Sequence, residues 1–278
     1  MMDKMVGTVY ERIQLRDIRA WEAAAPGVVG RAAGFLAKPV GGFVQMIPTG
    51  IVEKALKSAN SVGKNLADVQ DILRDGEVTA VGMLRQKDLR LCDALADKVH
   101  NRAIGLAAAE GGATGITGLP GIVADVPALM VLVLRTIHKI GYCYGYAAKT
   151  PEEDAFALQI LAAASANSQQ EKAGALMAMA ELEHRLQAVD ATGTAPICRD
   201  SLGRETVLLL IQRLARQVGV NLTKRKMMEM VPGLGAIVGA AMNGNYLQDA
   251  GWAARRKFQS RWLRERYSEL QDMENPTF

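Results

Sequence analysis

The chain has 278 residues, of which 49% are hydrophobic and only 5% are aromatic. A chain of this length can bury a sizeable core, which excludes a miniprotein held together by disulfides. A charged fraction of 22% excludes both a disordered chain and a polytopic membrane protein. The 33 basic and 29 acidic residues leave a formal net charge of +4, which does not by itself select nucleic acid or a membrane as the partner.

The three cysteines, Cys92, Cys143 and Cys198, are odd in number and widely spaced. We therefore expect no disulfide framework, and the expected compartment is the reducing cytoplasm. Residues 1–24 mix charged and apolar residues and contain no uninterrupted apolar stretch. No secretory signal is predicted there.

Helical periodicity runs through most of the chain, and no segment shows the alternation of β-branched residues that a strand needs. An amphipathic helix is predicted over residues 4–24, ending before Pro26-Gly27. Thr49 is the predicted cap of the next helix, and another helical pattern covers residues 78–109. The sequence therefore predicts an all-α fold, a multi-helix globular bundle that forms a single domain over residues 1–278.

The clearest helix start in the sequence is Thr150-Pro151-Glu152-Glu153. It combines a capping hydroxyl, a proline at the first helical position and a glutamate at the third, which together satisfy the free amides of a first turn. A helix is predicted from Pro151 to about residue 166. A turn-rich loop or boundary is predicted near residues 190–200. Further helices are predicted over residues 169–187, 204–218 and 246–270, the last of them long and basic.

Two long segments carry almost no charge. Residues 111–134 contain one charged residue, Asp125, and residues 227–248 contain one, Glu229. Each segment is long enough to span a bilayer. A Pro-Gly pair near the start of each segment and several further glycines argue against a straight spanning helix. We therefore predict two apolar segments, interrupted by glycine and proline, within the bundle.

Several short motifs occur in a fixed order between residues 107 and 266. The first group comprises Gly118-Leu119-Pro120-Gly121, Asp125-Val126-Pro127, Arg135-Thr136-Ile137, Tyr144-Gly145-Tyr146 and Pro151-Glu152-Glu153. The second group is Val231-Pro232-Gly233-Leu234-Gly235-Ala236-Ile237-Val238-Gly239-Ala240-Ala241-Met242-Asn243, followed by Ala253-Ala254 and an arginine-rich helix. In order and spacing, the two groups resemble the signatures of the bacterial EcsC protein family.

The resemblance covers somewhat more than half of the chain and sets residues 1–106 apart as N-terminal helices before the signature region, residues 107–266. It implies a helical bacterial protein associated with membranes. It implies no catalytic residue, because the family supplies no established activity to carry over.

Asp125 invites a catalytic or ligand-binding interpretation because it is a carboxylate in an apolar run. The simpler interpretation is that Asp125 caps a helix over residues 126–147, since aspartate is a preferred N-cap residue. The histidines His100, His138 and His184 show no spacing typical of a metal site, so no metal and no cofactor is predicted. Asp125, His138 and His184 are candidate catalytic residues if the fold brings them together.

Residues 255–266 concentrate the basic excess of the chain, with six basic residues and one acidic residue. Two interpretations are open: a terminal helix docked by its aromatic side chains, or a basic collar that contacts anionic headgroups beside the second apolar segment. The residues assigned to membrane or lipid contact are Arg255, Arg256, Lys257, Phe258, Arg261, Trp262 and Arg264. Nucleic acid is not predicted as a partner, because no nucleic-acid-binding motif accompanies the charge.

Together these features predict a non-enzymatic cytoplasmic protein that associates peripherally with the inner face of the membrane. Its partner would be an anionic lipid surface or an apolar ligand. Two alternatives from other classes stay open. One is a hydrolase or metalloenzyme with a site around Asp125 and His138, and the other is a helical adaptor for a membrane transporter, which would have a membrane-protein partner.

Overall fold

A computed structural model describes residues 7–27, 49–114, 118–192, 217–218, 220–221 and 235–267. All regular secondary structure in these ranges is helical, which confirms the predicted all-α fold. The elements are α1 (Val9–Ala23), α2 (Thr49–Leu66), α3 (Gln70–Asp75), a 3₁₀ helix (Val81–Gln86), α4 (Leu89–Thr114), α5 (Gly118–Cys143), α6 (Pro151–Ser165), α7 (Gln169–Thr192) and α8 (Gly235–Arg266).

The starts of α1 and α6 follow directly from local sequence. At α1 the Thr8 side chain accepts from the backbone N–H of Glu11, and the Glu11 carboxylate accepts from that of Thr8, which completes a capping box. At α6 the Thr150 hydroxyl accepts from the N–H of Glu153, as the Thr-Pro-Glu-Glu motif predicts. Both helices therefore begin where their capping side chains satisfy free backbone amides.

The helix α8 packs along α4 in the antiparallel direction. Gln259 lies beside Asp93, and one helical turn further Arg255 lies beside Asp97. Another turn on, Gly251 approaches the ring of His100 so closely that an added Cβ would overlap the imidazole. The absence of a side chain at Gly251 is therefore what lets the two helix backbones come together at this level.

The helix α5 lies in the middle of the bundle, because it packs against α2, α4, α6 and α8. Its side chains Leu134, Ile137 and Ile140 are completely buried. They belong to one hydrophobic cluster that also contains residues from the first and last described helices, such as Ile18 and Trp262. The core is thus formed by segments that are far apart in the sequence.

The end of α5 is a Schellman motif built on the Tyr144-Gly145-Tyr146 signature. The N–H of Tyr146 donates to the carbonyl of Gly141 at 2.9 Å, and the N–H of Gly145 donates to that of Tyr142 at 3.0 Å. Gly145 has a φ of +87°, a left-handed conformation that favours glycine. This motif turns the chain back so that both tyrosine rings face the core.

Three predicted boundaries are wrong. The central helix begins at Gly118 and not at Asp125, so Asp125 lies inside α5 instead of capping it. The pattern over residues 78–109 is divided into a 3₁₀ helix and α4. The last helix begins at Gly235, eleven residues before its predicted start, because apolar glycine-containing sequence continues a helix that tertiary packing supports.

The predicted helix over residues 204–218 and most of the predicted loop near 190–200 lie outside the described residues.

Replacement of Gly145 by alanine should destabilise the protein. A Cβ at this position would lie 2.5 Å from Cγ of Arg85. The alanine would also have to keep the left-handed backbone conformation that Gly145 adopts. We expect G145A to lower the free energy of unfolding by about 1–3 kcal/mol, measured by urea denaturation. The matched control is G105A inside α4, where a Cβ meets open space. That substitution should be neutral or stabilising by up to about 1 kcal/mol, and equal losses in both variants would contradict the assignment.

Candidate functional site

Three basic side chains of α8 are buried inside the protein: Arg255, Lys257 and Arg261. Lys257, which is only 4% exposed, pairs with Glu22 of α1 at 3.1 Å. Arg255 pairs with Asp97 of α4, and Arg261 pairs with Glu265 at 2.8 Å. These three cations are therefore neutralised by carboxylates within the fold.

The other four residues assigned to membrane or lipid contact are hydrogen-bonded within the fold or at least partly buried. Arg256 donates to Gln14 of α1 at 2.8 Å, and Arg264 is half-buried. Phe258 and Trp262 are buried in the core. Of the two interpretations of this helix, the structure favours the docked one: Arg255, Lys257, Phe258, Arg261 and Trp262 are buried within the bundle, while Arg256 and Arg264 are partly exposed.

A buried carboxylate, Asp93, organises the polar interior beside α8. It accepts hydrogen bonds from the hydroxyls of Tyr10 at 2.6 Å and Tyr144 at 2.5 Å, and from the Gln259 amide at 2.7 Å. Burial, and then the proximity of Asp93, raise the pKa of the Tyr144 hydroxyl well above its ordinary value. Tyr144 therefore stays protonated and acts as a donor that holds the end of α5 against α4.

Tyr146 makes the equivalent contact at the other side of the Schellman turn. Its hydroxyl donates to Glu265 at 2.8 Å, and the guanidinium groups of Arg85 and Arg261 lie over its ring at 4.5 Å and 4.2 Å. The Tyr-Gly-Tyr signature thus joins the end of α5 to α4 and α8. Its chemistry in this structure is that of packing and hydrogen bonding.

Of the three candidate catalytic residues, the structure describes the side chain of His138. His138 is buried and hydrogen-bonded to Asn60 of α2, with 2.8 Å between Nε2 and Oδ1. Burial, with a smaller contribution from Lys64, lowers the pKa of His138 to about 4, so the imidazole is neutral. The side chains of Asp125 and His184 lie outside those that the structure describes. Within the described ranges, no group of three or more His, Cys, Asp or Glu could hold a metal ion.

The two weakly charged segments meet at one end of the bundle. Because residues 115–117 join α4 to α5, the end of α4 at Thr114 lies beside the start of α5 at Gly118. The antiparallel register of α8 on α4 brings the start of α8 to the same end. We call this the apolar end, and it consists of residues 107–114 of α4, 118–127 of α5 and 235–244 of α8. Its only charged residues are Glu110 and Asp125.

A basic groove lies on the same helices, further from the apolar end. It is a cavity of about 290 Å³ between α3, α4 and α5. Its charged lining comprises the cations Arg74, Lys98, Arg102, Arg135 and Lys139, and the carboxylates Asp71 and Asp75. The groove therefore has an excess of three positive charges.

The cations of the groove are largely accessible to solvent. The side chains of Arg74, Lys98 and Arg102 are 77%, 67% and 75% exposed. Lys139 is held deeper by Asp71, with 2.8 Å between Nζ and Oδ2. An anion that enters the groove would thus meet a buried ammonium group at the base and exposed cationic side chains at the rim.

Sequence reasoning missed the groove, because its residues come from three helices that no local motif connects. One signal was available. Arg102 and Arg135 are the nearest basic residues on either side of the nearly uncharged stretch from 103 to 134. In an antiparallel hairpin that turns within that stretch, two such flanking charges come to lie on neighbouring helices, away from the turn.

No helix within the described ranges is long and apolar enough to cross a membrane.

Comparisons with known proteins agree with the signatures in the sequence. The model of the EcsC protein family matches residues 12–263. The chain is also 25% identical over 262 residues to the uncharacterized protein YdbA of Bacillus subtilis (strain 168), an alignment that covers 94% of this chain and 88% of YdbA. No solved structure matches the chain.

Acid should destabilise the fold through His138. Its pKa is about 4 in the folded protein and about 6.5 in an unfolded chain, so the unfolded state binds the extra proton between these values. Stability is therefore lost as the pH falls from about 6.5 to 4. We expect the free energy of unfolding to fall by roughly 3 kcal/mol less between pH 7 and pH 4 in H138Q than in the unmodified protein, measured by urea denaturation at the two pH values. An unchanged pH dependence in the variant would contradict the assignment.

Removal of a buried cation of α8 should lower the stability of the fold. The Arg261 side chain is 6% exposed; it pairs with Glu265 and lies over the ring of Tyr146. The substitution R261Q would therefore leave the Glu265 carboxylate and the Tyr146 ring without their cationic partner. We expect a loss of about 3 kcal/mol in the free energy of unfolding. R16Q on α1 is the matched control, because Arg16 is 75% exposed and its removal should change stability by less than about 0.5 kcal/mol. Similar small effects in both variants would show that Arg261 is not held in the core.

Proposed function

Because this chain belongs to the EcsC protein family, and its helices bring two distant apolar segments to one end of the bundle, we propose that it is a peripheral membrane protein. The proposed role is non-enzymatic attachment to the cytoplasmic face of a membrane through the apolar end. The observation that carries the proposal is this convergence of residues 107–114, 118–127 and 235–244.

The length of the apolar end suits shallow insertion. At about 1.5 Å per helical residue, Glu110 lies roughly 6 Å from the end of α4 and Asp125 roughly 10 Å from the start of α5. Charged side chains are costly in hydrocarbon, so these two residues limit the depth of insertion. The resulting depth matches the 5–10 Å or so at which interfacial helices are buried.

Electrostatic attraction would add to the apolar contact. By the same helical rise, Arg102 at the near edge of the basic groove lies roughly 12 Å further from the end of α4 than Glu110, so the groove stands just above the headgroup layer, within about one Debye length of the membrane surface. Each exposed Lys or Arg near an anionic surface contributes about 1 kcal/mol. The groove thus takes over the role that the sequence had assigned to the cations of α8.

The chemistry of the cysteines supports a cytoplasmic location. Cys92 and Cys143 are both free and buried. Burial raises the pKa of the Cys92 thiol to about 12, which keeps it protonated and unreactive. Free thiols of this kind are typical of proteins in a reducing compartment.

Co-sedimentation with vesicles tests the proposal. We expect the protein to pellet with vesicles of zwitterionic lipid mixed with an anionic lipid, and to pellet less as salt is added. L119D places a carboxylate in the apolar end, at a cost of about 2–3 kcal/mol for insertion, and should weaken binding by at least about tenfold.

The matched control is M177D on α7, where Met177 is 76% exposed outside the apolar end. M177D should bind vesicles as the unmodified protein does. Absence of binding to any vesicle, equal binding to neutral and anionic vesicles, or equal losses in L119D and M177D would each contradict the proposal. Circular dichroism establishes that both variants fold.

A further inference from the structure

We infer that the basic groove is a binding site for a phosphomonoester headgroup, as carried by an anionic lipid such as phosphatidic acid. The inference rests on the proposed function and names the lipid chemistry that the site would recognise. It is carried by the arrangement of charges in the groove, by the apolar wall beside them and by the position of the groove on the two helices of the apolar end.

Two carboxylates hold four of the five cations in place without neutralising them. Asp71 lies 2.8 Å from Lys139 and 3.8 Å from Arg102, so one carboxylate is shared by two cations. Asp75 is shared in the same way, at 3.0 Å from Arg74 and 3.2 Å from Lys98. Shared carboxylates pull cations from α3, α4 and α5 towards one cavity and leave part of each positive charge uncompensated.

The fifth cation, Arg135, differs from the others. Among the described side chains, its guanidinium makes no ion pair, although it lines the same cavity. Arg102 reaches its carboxylate only at 3.8 Å, which is beyond hydrogen-bond distance. Two guanidinium groups from neighbouring helices are thus available for bidentate hydrogen bonds to phosphate oxygens.

The excess charge favours a phosphomonoester over a phosphodiester. A phosphomonoester carries about −1.5 to −2 at neutral pH and has three terminal oxygens. It therefore compensates more of the groove's three excess positive charges than a diester with a single negative charge does, and it offers enough oxygens for both arginines.

The apolar wall of the groove points to a lipid rather than a soluble phosphate. Along α4 the lining changes from the charged Lys98 and Arg102 to Leu106, which is 45% exposed. Leu132 of α5 also lines the cavity. A ligand with a charged head and an apolar body would therefore have its head among the cations and its body directed towards the apolar end, where the membrane would be.

The test compares two kinds of anionic vesicle at equal total surface charge. One contains phosphatidic acid and the other contains phosphatidylglycerol, a phosphodiester, each mixed with phosphatidylcholine. We expect the protein to bind the phosphatidic acid vesicles about tenfold more tightly, as a stronger set of charge-assisted hydrogen bonds implies. The double variant R102Q/R135Q should lose this preference and still pellet with both kinds of vesicle.

The matched control is R16Q/R19Q, which removes two exposed arginines from α1, outside the groove. It should keep the preference for phosphatidic acid. Equal binding to the two kinds of vesicle, or an equal change in both double variants, would overturn the inference while leaving the proposed function standing. Failure of the unmodified protein to bind any vesicle would contradict the proposed function and the inference together.

A soluble competitor identifies the source of the phosphate. Glycerol 3-phosphate carries the same phosphomonoester without acyl chains. If it binds the protein in calorimetry as tightly as the vesicles do, and abolishes their binding, the site belongs to a soluble phosphate ester and the lipid assignment is wrong. We expect binding to glycerol 3-phosphate to be at least about tenfold weaker, because the apolar wall then has no partner.

Discussion

Burial of the cationic side of α8 is the constraint on which the rest of the structure depends. Arg255, Lys257 and Arg261 lie in the interior, and a buried charge is tolerated only beside an opposite charge and with its hydrogen bonds made. The carboxylates that meet this need come from α1, α4 and α8 itself. The Arg255–Asp97 pair and the Gln259–Asp93 hydrogen bond fix where α8 lies along α4, since a shift of one turn would break both.

That register has a consequence at the opposite end of the helices. With α8 fixed antiparallel to α4, its uncharged first turns lie beside the last turns of α4 and the first turns of α5. The charged half of α8 thus determines the position of its apolar half. The apolar end, built from segments more than a hundred residues apart in the sequence, thus arises without any local motif that specifies it.

Local motifs such as helix caps and the direction in which a basic helix faces differ in how far a sequence reveals them. Of the local motifs, the Thr150 cap was predicted, and the Thr8 cap and the Schellman turn at Tyr144-Gly145-Tyr146 were not, although such motifs need only neighbouring residues. The direction in which a basic helix faces could not, since Arg261 has the same sequence context whether it faces solvent or Glu153 and Tyr146. Charge composition left a docked helix and an exposed collar open, and the burial of Arg255, Lys257 and Arg261 beside carboxylates favours the docked helix.

By itself, the sequence determined the all-α class, most of the helices, the capped helix start at Thr150 and the existence of two weakly charged segments. These depend on periodicity and on contacts within a few residues, which a single chain displays directly. Only the tertiary structure decided that the cations of α8 are internal, that the weakly charged segments converge and that Asp71, Arg102, Arg135 and Lys139 line one groove. The reason is physical: each of these features is a pairing between distant helices, and the free energy that selects it comes from burial and charge neutralisation across the whole bundle.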